Sequence, residues 1–398
     1  MTSVTSLPDE LKACEAFAKR VRSLSPSDEK ISKVAKSCLA QEEPLKRIQR
    51  MFDWATYKNP KIIKSTDLVE AKYIYEKTAG RVDSLFGWRA LVPLAEGGEN
   101  RAYPFITDDA EYVVLTSKHN LKAKQQPSIS QKVGKESFLC KNVPLDYKSD
   151  DLFSENSFET LPIFHQTLIR HANRGDLRSF IRRQLPTCYR NCLPNLGLQL
   201  LEKLYTLHQE GGAHCDIKPA NLLVDLEEEN LKLSIADFGH YSESAIGWTR
   251  CGTPGYRGPE AGDFFSFFDV KIPHHEALHA SMYDAKLLDL YATGTTLFEL
   301  LTKKSFPSQI SEWFTKSSTF QEKAKFYSVE DFKTFRQSKV EAFLTDFISK
   351  SAEGAWIRNP YFGQVISGLI QEEPINRMPL DQAIAIWKQG VQSLNLSP

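Results

Sequence analysis

Two acidic positions held apart by a strand pair constrain this chain more than anything in its composition. The string Gly212-Ala213-His214-Cys215-Asp216-Ile217-Lys218-Pro219-Ala220-Asn221 runs directly into the apolar Leu222-Leu223-Val224. A second β-like run, Leu231 to Ile235, follows the acidic turn Glu227-Glu228-Glu229-Asn230 and ends at Ala236-Asp237-Phe238-Gly239. Strand, turn and strand therefore carry the chain from Asn221 back to Asp237. Taken singly, Asp216 reads as a turn or helix-capping residue and Asp237-Phe238-Gly239 as a simple turn. Their order, with a hairpin between them, is what points to chemistry.

Composition narrows the setting. Fifty basic residues oppose fifty acidic ones among 398, so no global field gathers polyanions, and nucleic acid is not an expected partner. No run approaches the roughly 18 apolar residues of a membrane span, and the polar start MTSVTSLPDELKAC lacks a signal peptide's apolar core. The seven cysteines are scattered, with no CxxC pair. This reads as a reducing, cytoplasmic setting, and Cys188 with Cys192 does not make a metal site.

Along the chain, residues from Leu11 to about Ala79 read as amphipathic helices. Leu11, Cys14, Phe17, Val21 and Leu24 recur at helical spacing, Ile31, Val34, Ala35, Cys38 and Leu39 follow a Ser25-Pro26-Ser27-Asp28 start, and Pro44 opens a helix with Leu45, Ile48, Met51, Phe52 and Ala55 on one face. This segment carries no chemical motif. It reads as packing, with a regulatory partner as the alternative. From Trp88 to His171 short β-like runs follow, at Ala90-Leu94, Arg101-Phe105, Glu111-Thr116 and Thr167-Arg170; beyond Gly175 helical patterns dominate.

The string around Asp216 and the Asp237-Phe238-Gly239 triplet resemble the catalytic loop and metal-binding triplet of protein kinases. Further motifs keep the family's order. Gly175-Asp176-Leu177 and the helix Leu200 to His208 precede the loop, and Cys251-Gly252-Thr253-Pro254 to Gly258-Pro259-Glu260 resembles the end of an activation segment. Asp289-Leu290-Tyr291-Ala292-Thr293-Gly294 resembles the helix that anchors the catalytic loop, and Arg377 matches the arginine that pairs with Glu260. The resemblance covers about Trp88 to Gly390 and implies an α+β, two-lobed fold: a helical extension over 1–87, a small β-rich lobe over 88–171 and a large helical lobe over 172–390. It implies ATP- and magnesium-dependent phosphorylation of serine or threonine hydroxyls on a protein substrate. Asp216 would orient the acceptor hydroxyl and take its proton, Lys218 would neutralise charge on the γ-phosphoryl group, and Asn221 with Asp237 would hold magnesium. Lys218 and Thr253 fit the serine/threonine branch.

The small lobe departs from the family pattern. Leu94-Ala95-Glu96-Gly97-Gly98-Glu99-Asn100 resembles the glycine-rich loop over the ATP phosphates, which assigns Gly97 and Gly98 to nucleotide binding, but Ala95 and Asn100 replace two of its glycines. The simplest overlay of Glu111 to Lys118 puts Leu115 at the ATP-anchoring lysine; Lys118 is the candidate, given a bulge in its strand. Glu136 has the spacing of its helical glutamate partner, with Leu139, Cys140 and Val143 expected on that helix's core face. Cys215 replaces an arginine that often receives an activation-segment phosphate, and reads as a small packing residue, with a reactive thiol as the alternative.

Two other functions stand beside the kinase. The thinned glycine loop suggests a pseudokinase-like binding module. His275-Glu276-Ala277-Leu278-His279 has the H-E-x-x-H spacing of a zinc metallohydrolase. Asp216, Lys218, Asn221 and Asp237, all intact, favour the enzyme.

Overall fold

A computed structural model describes residues 43–55, 61–78, 81–96, 100–117, 137–143, 166–183, 192–243, 246–247, 251–261, 283–316, 329–350 and 358–394. The chain divides into two compact units; among the described residues the first ends at His171 and the second begins at Ala172. The first is a small curled β-sheet and the second is mainly helical, so the two-lobed α+β expectation holds. No described helix is long and apolar enough to cross a membrane.

In the first unit, helix α1 (43–55) precedes strands β1 (Leu68–Thr78), β2 (Arg81–Ala90), β3 (Ala95–Glu96), β4 (Asn100–Ile106), β5 (Glu111–Ser117), β6 (Ser137–Val143) and β7 (Gln166–Arg170). The sheet order is β2-β1-β6-β7-β5-β4-β3, and β2 curls round to pair with β4 at Trp88↔Ile106 and Arg89↔Phe105. One face buries Ala71, Tyr73, Tyr75, Phe105, Tyr112, Val114, Phe138, Cys140 and Leu168. Tyr73 meets Phe105 edge-on at 4.8 Å between ring centres, the geometry that the ring quadrupoles favour. Helix α1 buries Leu45, Ile48, Met51 and Phe52 in a second cluster with Ile63, Leu68, Ala90 and Ile106, the helix face that its spacing predicts.

The helical reading fails beyond α1. Residues 68–90 are the antiparallel pair β1–β2, with ten-residue registry from Leu68↔Ala90 to Thr78↔Arg81 broken once at Glu76/Thr78, so the expected boundary at residue 87 falls inside β2. Ala71, Tyr73 and Tyr75 alternate toward one face, a period of two that the aromatic side chains favour over a helix. The expected run Ala90 to Leu94 is not a strand beyond Ala90. The helix expected from Glu136 to Val143 is also overturned: Ser137–Val143 is strand β6, paired with β1 and β7. Phe138 and Cys140 are buried on one side, again a two-residue period, and β6 is fixed by partners more than sixty residues away at β1.

An ion-pair cluster fastens α1 to the sheet. Arg47 reaches Glu111 Oε1 at 3.4 Å and donates to the Thr107 carbonyl at 2.7 Å, while His171 Nδ1 lies 3.2 Å from Glu111 Oε2. The His171 hydrogen bond, opposed by burial and aided by Arg47, holds the Glu111 carboxyl below its ordinary range. A depressed carboxylate contributes stability above its unfolded pKa, and that contribution is lost as pH falls through the lower folded value. Urea midpoints of Glu111→Gln are therefore expected to fall less steeply than wild type below about pH 4; parallel acid limbs would remove Glu111 from the balance.

The second unit contains α2 (Leu177–Arg182), α3 (Leu193–Gln209), β8 (Leu222–Glu227), β9 (Asn230–Ile235), β10 (Ile246–Gly247), β11 (Tyr283–Asp284), α4 (Ala285–Thr302), α5 (Phe306–Lys316), α6 (Val329–Lys350), α7 (Pro360–Leu369) and α8 (Leu380–Ser393). Its core joins Leu196, Leu200 and Leu204 of α3 to Leu297, Phe298 and Leu301 of α4, Phe362 and Val365 of α7 and Trp387 of α8. The Trp387 indole N–H donates to the Pro194 carbonyl at 2.8 Å. Gly197 lets that ring approach, because a Cβ there would stand 2.5 Å from Trp387.

Candidate functional site

The hairpin forms where the sequence places it. β8 and β9 pair from Leu222↔Ile235 to Glu227↔Asn230, and both central turn residues, Glu228 and Glu229, have positive φ, the twist that a tight hairpin requires. Because the register opens at Leu222↔Ile235, the residues just outside it are neighbours: Ala236 N–H donates to the Asn221 carbonyl at 2.8 Å. Asp237 follows in the left-handed region at φ 59. The pairing therefore brings Asn221 and Asp237 to one end of the hairpin.

Asp289 anchors the preceding loop. This carboxylate is fully buried on α4, where it accepts the backbone N–H groups of His214 and Cys215, each at 2.7 Å, and lies 3.0 Å from His208 Nε2. Three hydrogen-bond partners make such burial tolerable. His214 Nε2 sits 3.0 Å from the Ala236 carbonyl, so that nitrogen carries the proton, and Nδ1 accepts from Asp216 N–H at 3.2 Å. One ring thus ties the loop to the strand end before Asp237.

Asp216 lies at the centre of the resulting network. Lys218 Nζ donates to its Oδ2 at 2.6 Å, and Thr253 Oγ1 donates to its Oδ1 at 2.7 Å. Lys218 Nζ also reaches Thr253 Oγ1 at 2.6 Å. The Asn221 side-chain amide donates to both the Asp216 carbonyl and Oδ2, at 2.9 Å each. Burial pushes the Asp216 carboxyl up, but Lys218 and Thr253 outweigh it and hold the group below its ordinary value. Asp216 is therefore ionised at neutral pH, with both oxygens aimed by neighbours.

The predicted pair of Arg377 and Glu260 is formed. The guanidinium is fully buried and makes two bonds to the carboxylate, at 2.5 and 2.7 Å, and further bonds to the Leu287 and Gln371 carbonyls at 2.7 and 3.0 Å. A Cβ at position 258 would lie 2.4 Å from Glu260 Oε2, so Gly258 leaves that carboxylate room to face Arg377.

Asp216, Lys218, Asn221 and Asp237 are thus brought together by one loop and hairpin. Gly97, Gly98, Lys118 and Glu136 lie outside the described residues, as do Cys188 and the segment 275–279. The β3–β4 ladder flanking Gly97 is described, with Ala95↔Ala102 and Glu96↔Arg101 in register. The sequence placed Asp289 on the helix expected to anchor the loop but not the bonds it makes, and it missed Thr253 as a member of the network. Asp289 had a signal: a lone carboxylate in the apolar stretch Leu287-Leu288-Asp289-Leu290-Tyr291 must find buried donors. Thr253 had none in its local sequence, because its partners lie 35 and 37 positions away.

Among the described residues no three His, Cys, Asp or Glu side chains converge as a metal site. Asn221 and Asp237 nevertheless suit magnesium held jointly with phosphate oxygens, since that ion takes few protein ligands and prefers hard oxygen. With its amide nitrogen engaged by Asp216, Asn221 keeps its carbonyl oxygen for such a role.

Comparison with known proteins agrees with this geometry. Residues 165–386, more than half of the chain, match the protein kinase domain. Over 68 residues, 17% of this chain, it is 44% identical to a calcium/calmodulin-dependent protein kinase type 1 of Caenorhabditis briggsae, covering 19% of that protein. It is 25% identical over half of its length to the serine/threonine-protein kinase unc-51 of Caenorhabditis elegans, covering 23% of it, and 36% identical over 26% of its length to the CBL-interacting serine/threonine-protein kinase 7 of Arabidopsis thaliana, covering 21% of it. The chain thus aligns with about a fifth of the length of these relatives. On the matched domain and the ordered network around Asp216, the chain belongs to the eukaryotic protein kinase superfamily.

Proposed function

We propose that this protein is an ATP- and magnesium-dependent kinase that phosphorylates serine or threonine hydroxyls of a protein substrate. The observation that carries the reading is Asp216 fixed between Lys218, Thr253 and Asn221. A carboxylate so aimed, and ionised at neutral pH, orients an acceptor hydroxyl and takes its proton as the new bond to phosphorus forms. Lys218 adds a cation beside the same oxygen, where charge on the transferring phosphoryl group is stabilised. Asn221 and Asp237 would hold magnesium, which when bound neutralises phosphate charge. The serine/threonine-protein kinases among the relatives support the acceptor class.

Incubation of the purified chain with γ-labelled ATP, magnesium and generic acceptor proteins tests this. Label on serine or threonine is expected. Tight nucleotide binding without transfer would instead favour the pseudokinase-like module, a reading that rests on Ala95 and Asn100 in place of glycines. Label confined to tyrosine would refute the acceptor class.

The ATP-anchoring lysine is proposed to be Lys118, just beyond β5. Lys118→Met is expected to lower turnover at least about a hundredfold, while Lys122→Met leaves it near wild type. Steady-state rates separate the cases: equal losses would mean that the strand register places another residue at the phosphates.

A further inference from the structure

Two cysteines from different segments meet beside the Asp216 network. Cys215 and Cys251 are both buried, and with Ala213, Ala285 and Leu288 they form a small cluster separate from the main core. Their side chains share that cluster, where the Cys215 Sγ lies 3.8 Å from the Ala213 carbonyl oxygen. The backbone of Cys215 is pinned, because its N–H donates to Asp289 at 2.7 Å and its φ is 64. The chain leaving Cys251 runs against it: a Cβ on Gly252 would lie 2.7 Å from the Cys215 carbonyl oxygen. Cys215 directly precedes Asp216, and Cys251 stands two positions before Thr253, which donates to Asp216 at 2.7 Å. The pair therefore spans the same two segments that the Asp216–Thr253 hydrogen bond joins.

We propose that Cys215 and Cys251 form a peroxide-oxidisable pair whose disulfide fastens the 251–257 segment to the loop carrying Asp216. The Cys251 sulfur beside it, burial, and the charges of Asp289 and Asp216 all keep the proton on Cys215. Cys251 is the more exposed of the two, 9% against 4%, so peroxide reaches its sulfur first. In the first step the Cys251 thiolate attacks one oxygen of hydrogen peroxide, the O–O bond breaks, and the departing hydroxide takes up a proton as water. Cys251 is then a sulfenic acid. The Cys215 sulfur next attacks the Cys251 sulfur; the S–O bond breaks and the departing hydroxyl takes the Cys215 proton to leave as water. Two thiols and one peroxide give one disulfide and two waters. The sulfurs are oxidised and the peroxide oxygens reduced. Because the two cysteines already share one buried cluster in the arrangement that seats Thr253 on Asp216, the disulfide retains that arrangement and restricts the unfolded chain.

The test treats the reduced full-length protein with hydrogen peroxide, caps remaining thiols with an alkylating agent and maps peptides without reductant. A Cys215–Cys251 joined peptide that dithiothreitol separates is expected, with a Tm rise of about 5 °C that dithiothreitol reverses. Cys215→Ser and Cys251→Ser should each abolish both signals. The wild-type map and melting shift decide the matter even if a variant folds poorly, and neither needs phosphoryl transfer to be measured. Cys215 still open to alkylation after oxidation, Cys251 carried on to a sulfinic acid without a joined peptide, or a joined pair accompanied by a lower Tm would each overturn the proposal.

Discussion

Asp237→Asn and Asp216→Asn are each expected to reduce phosphoryl transfer by on the order of a thousandfold while the fold survives. Asp237 sits in the left-handed region at φ 59, which asparagine adopts readily, so the backbone at the hairpin end is retained. The change removes the charge proposed to hold magnesium against the phosphates. At position 216 the amide keeps the volume and the bond from Thr253, but it presents Lys218 with no negative charge. Circular dichroism and melting should report folded protein in both cases, and rates with labelled ATP should report the loss. Wild-type turnover by Asp237→Asn in magnesium would refute the metal role, and wild-type turnover by Asp216→Asn would refute the central role of this carboxylate.

The largest stability effect is expected at Arg377. Its guanidinium is fully buried against a Glu260 carboxylate that is itself only 13% exposed, and it packs 5.1 Å from the Tyr291 ring centre. Arg377→Met leaves Glu260 charged and unpaired and strips the Leu287 and Gln371 carbonyls of a donor, a loss of about 3–5 kcal/mol. That corresponds to a Tm lower by about 10 °C for a unit of this size. Adding Glu260→Leu removes the stranded charge, so the double variant should recover part of the loss. A double variant no more stable than Arg377→Met alone would show that the carbonyl bonds, rather than the ion pair, carry the effect.

Much of the large helical unit was legible because its signals are local. The β8–β9 hairpin announces itself through two apolar runs about an acidic turn, and α3 through leucines at helical spacing. The small unit was harder. Residues 68–90 alternate as strands, yet their charged and small residues also satisfy a loose helical pattern, and the choice is settled by pairing with β6 and β4. The same holds for Ser137–Val143, where Leu139, Cys140 and Val143 suit a helix until β1 and β7 claim the backbone hydrogen bonds.

By itself the sequence determined the order of the chemical groups: Asp216, Lys218 and Asn221 on one loop, Asp237 one hairpin later, and the Glu260–Arg377 partnership. Residue type and spacing suffice for the hairpin, because a tight turn has nearly one geometry, while the Glu260–Arg377 partnership came from the resemblance to protein kinases. Only the tertiary structure decided that Thr253 closes the network, which groups of the loop Asp289 binds, and that Cys215 meets Cys251. Each joins residues far apart in the chain. No local pattern encodes such a meeting; it follows from the packing that folds the 251–257 segment and α4 onto one loop.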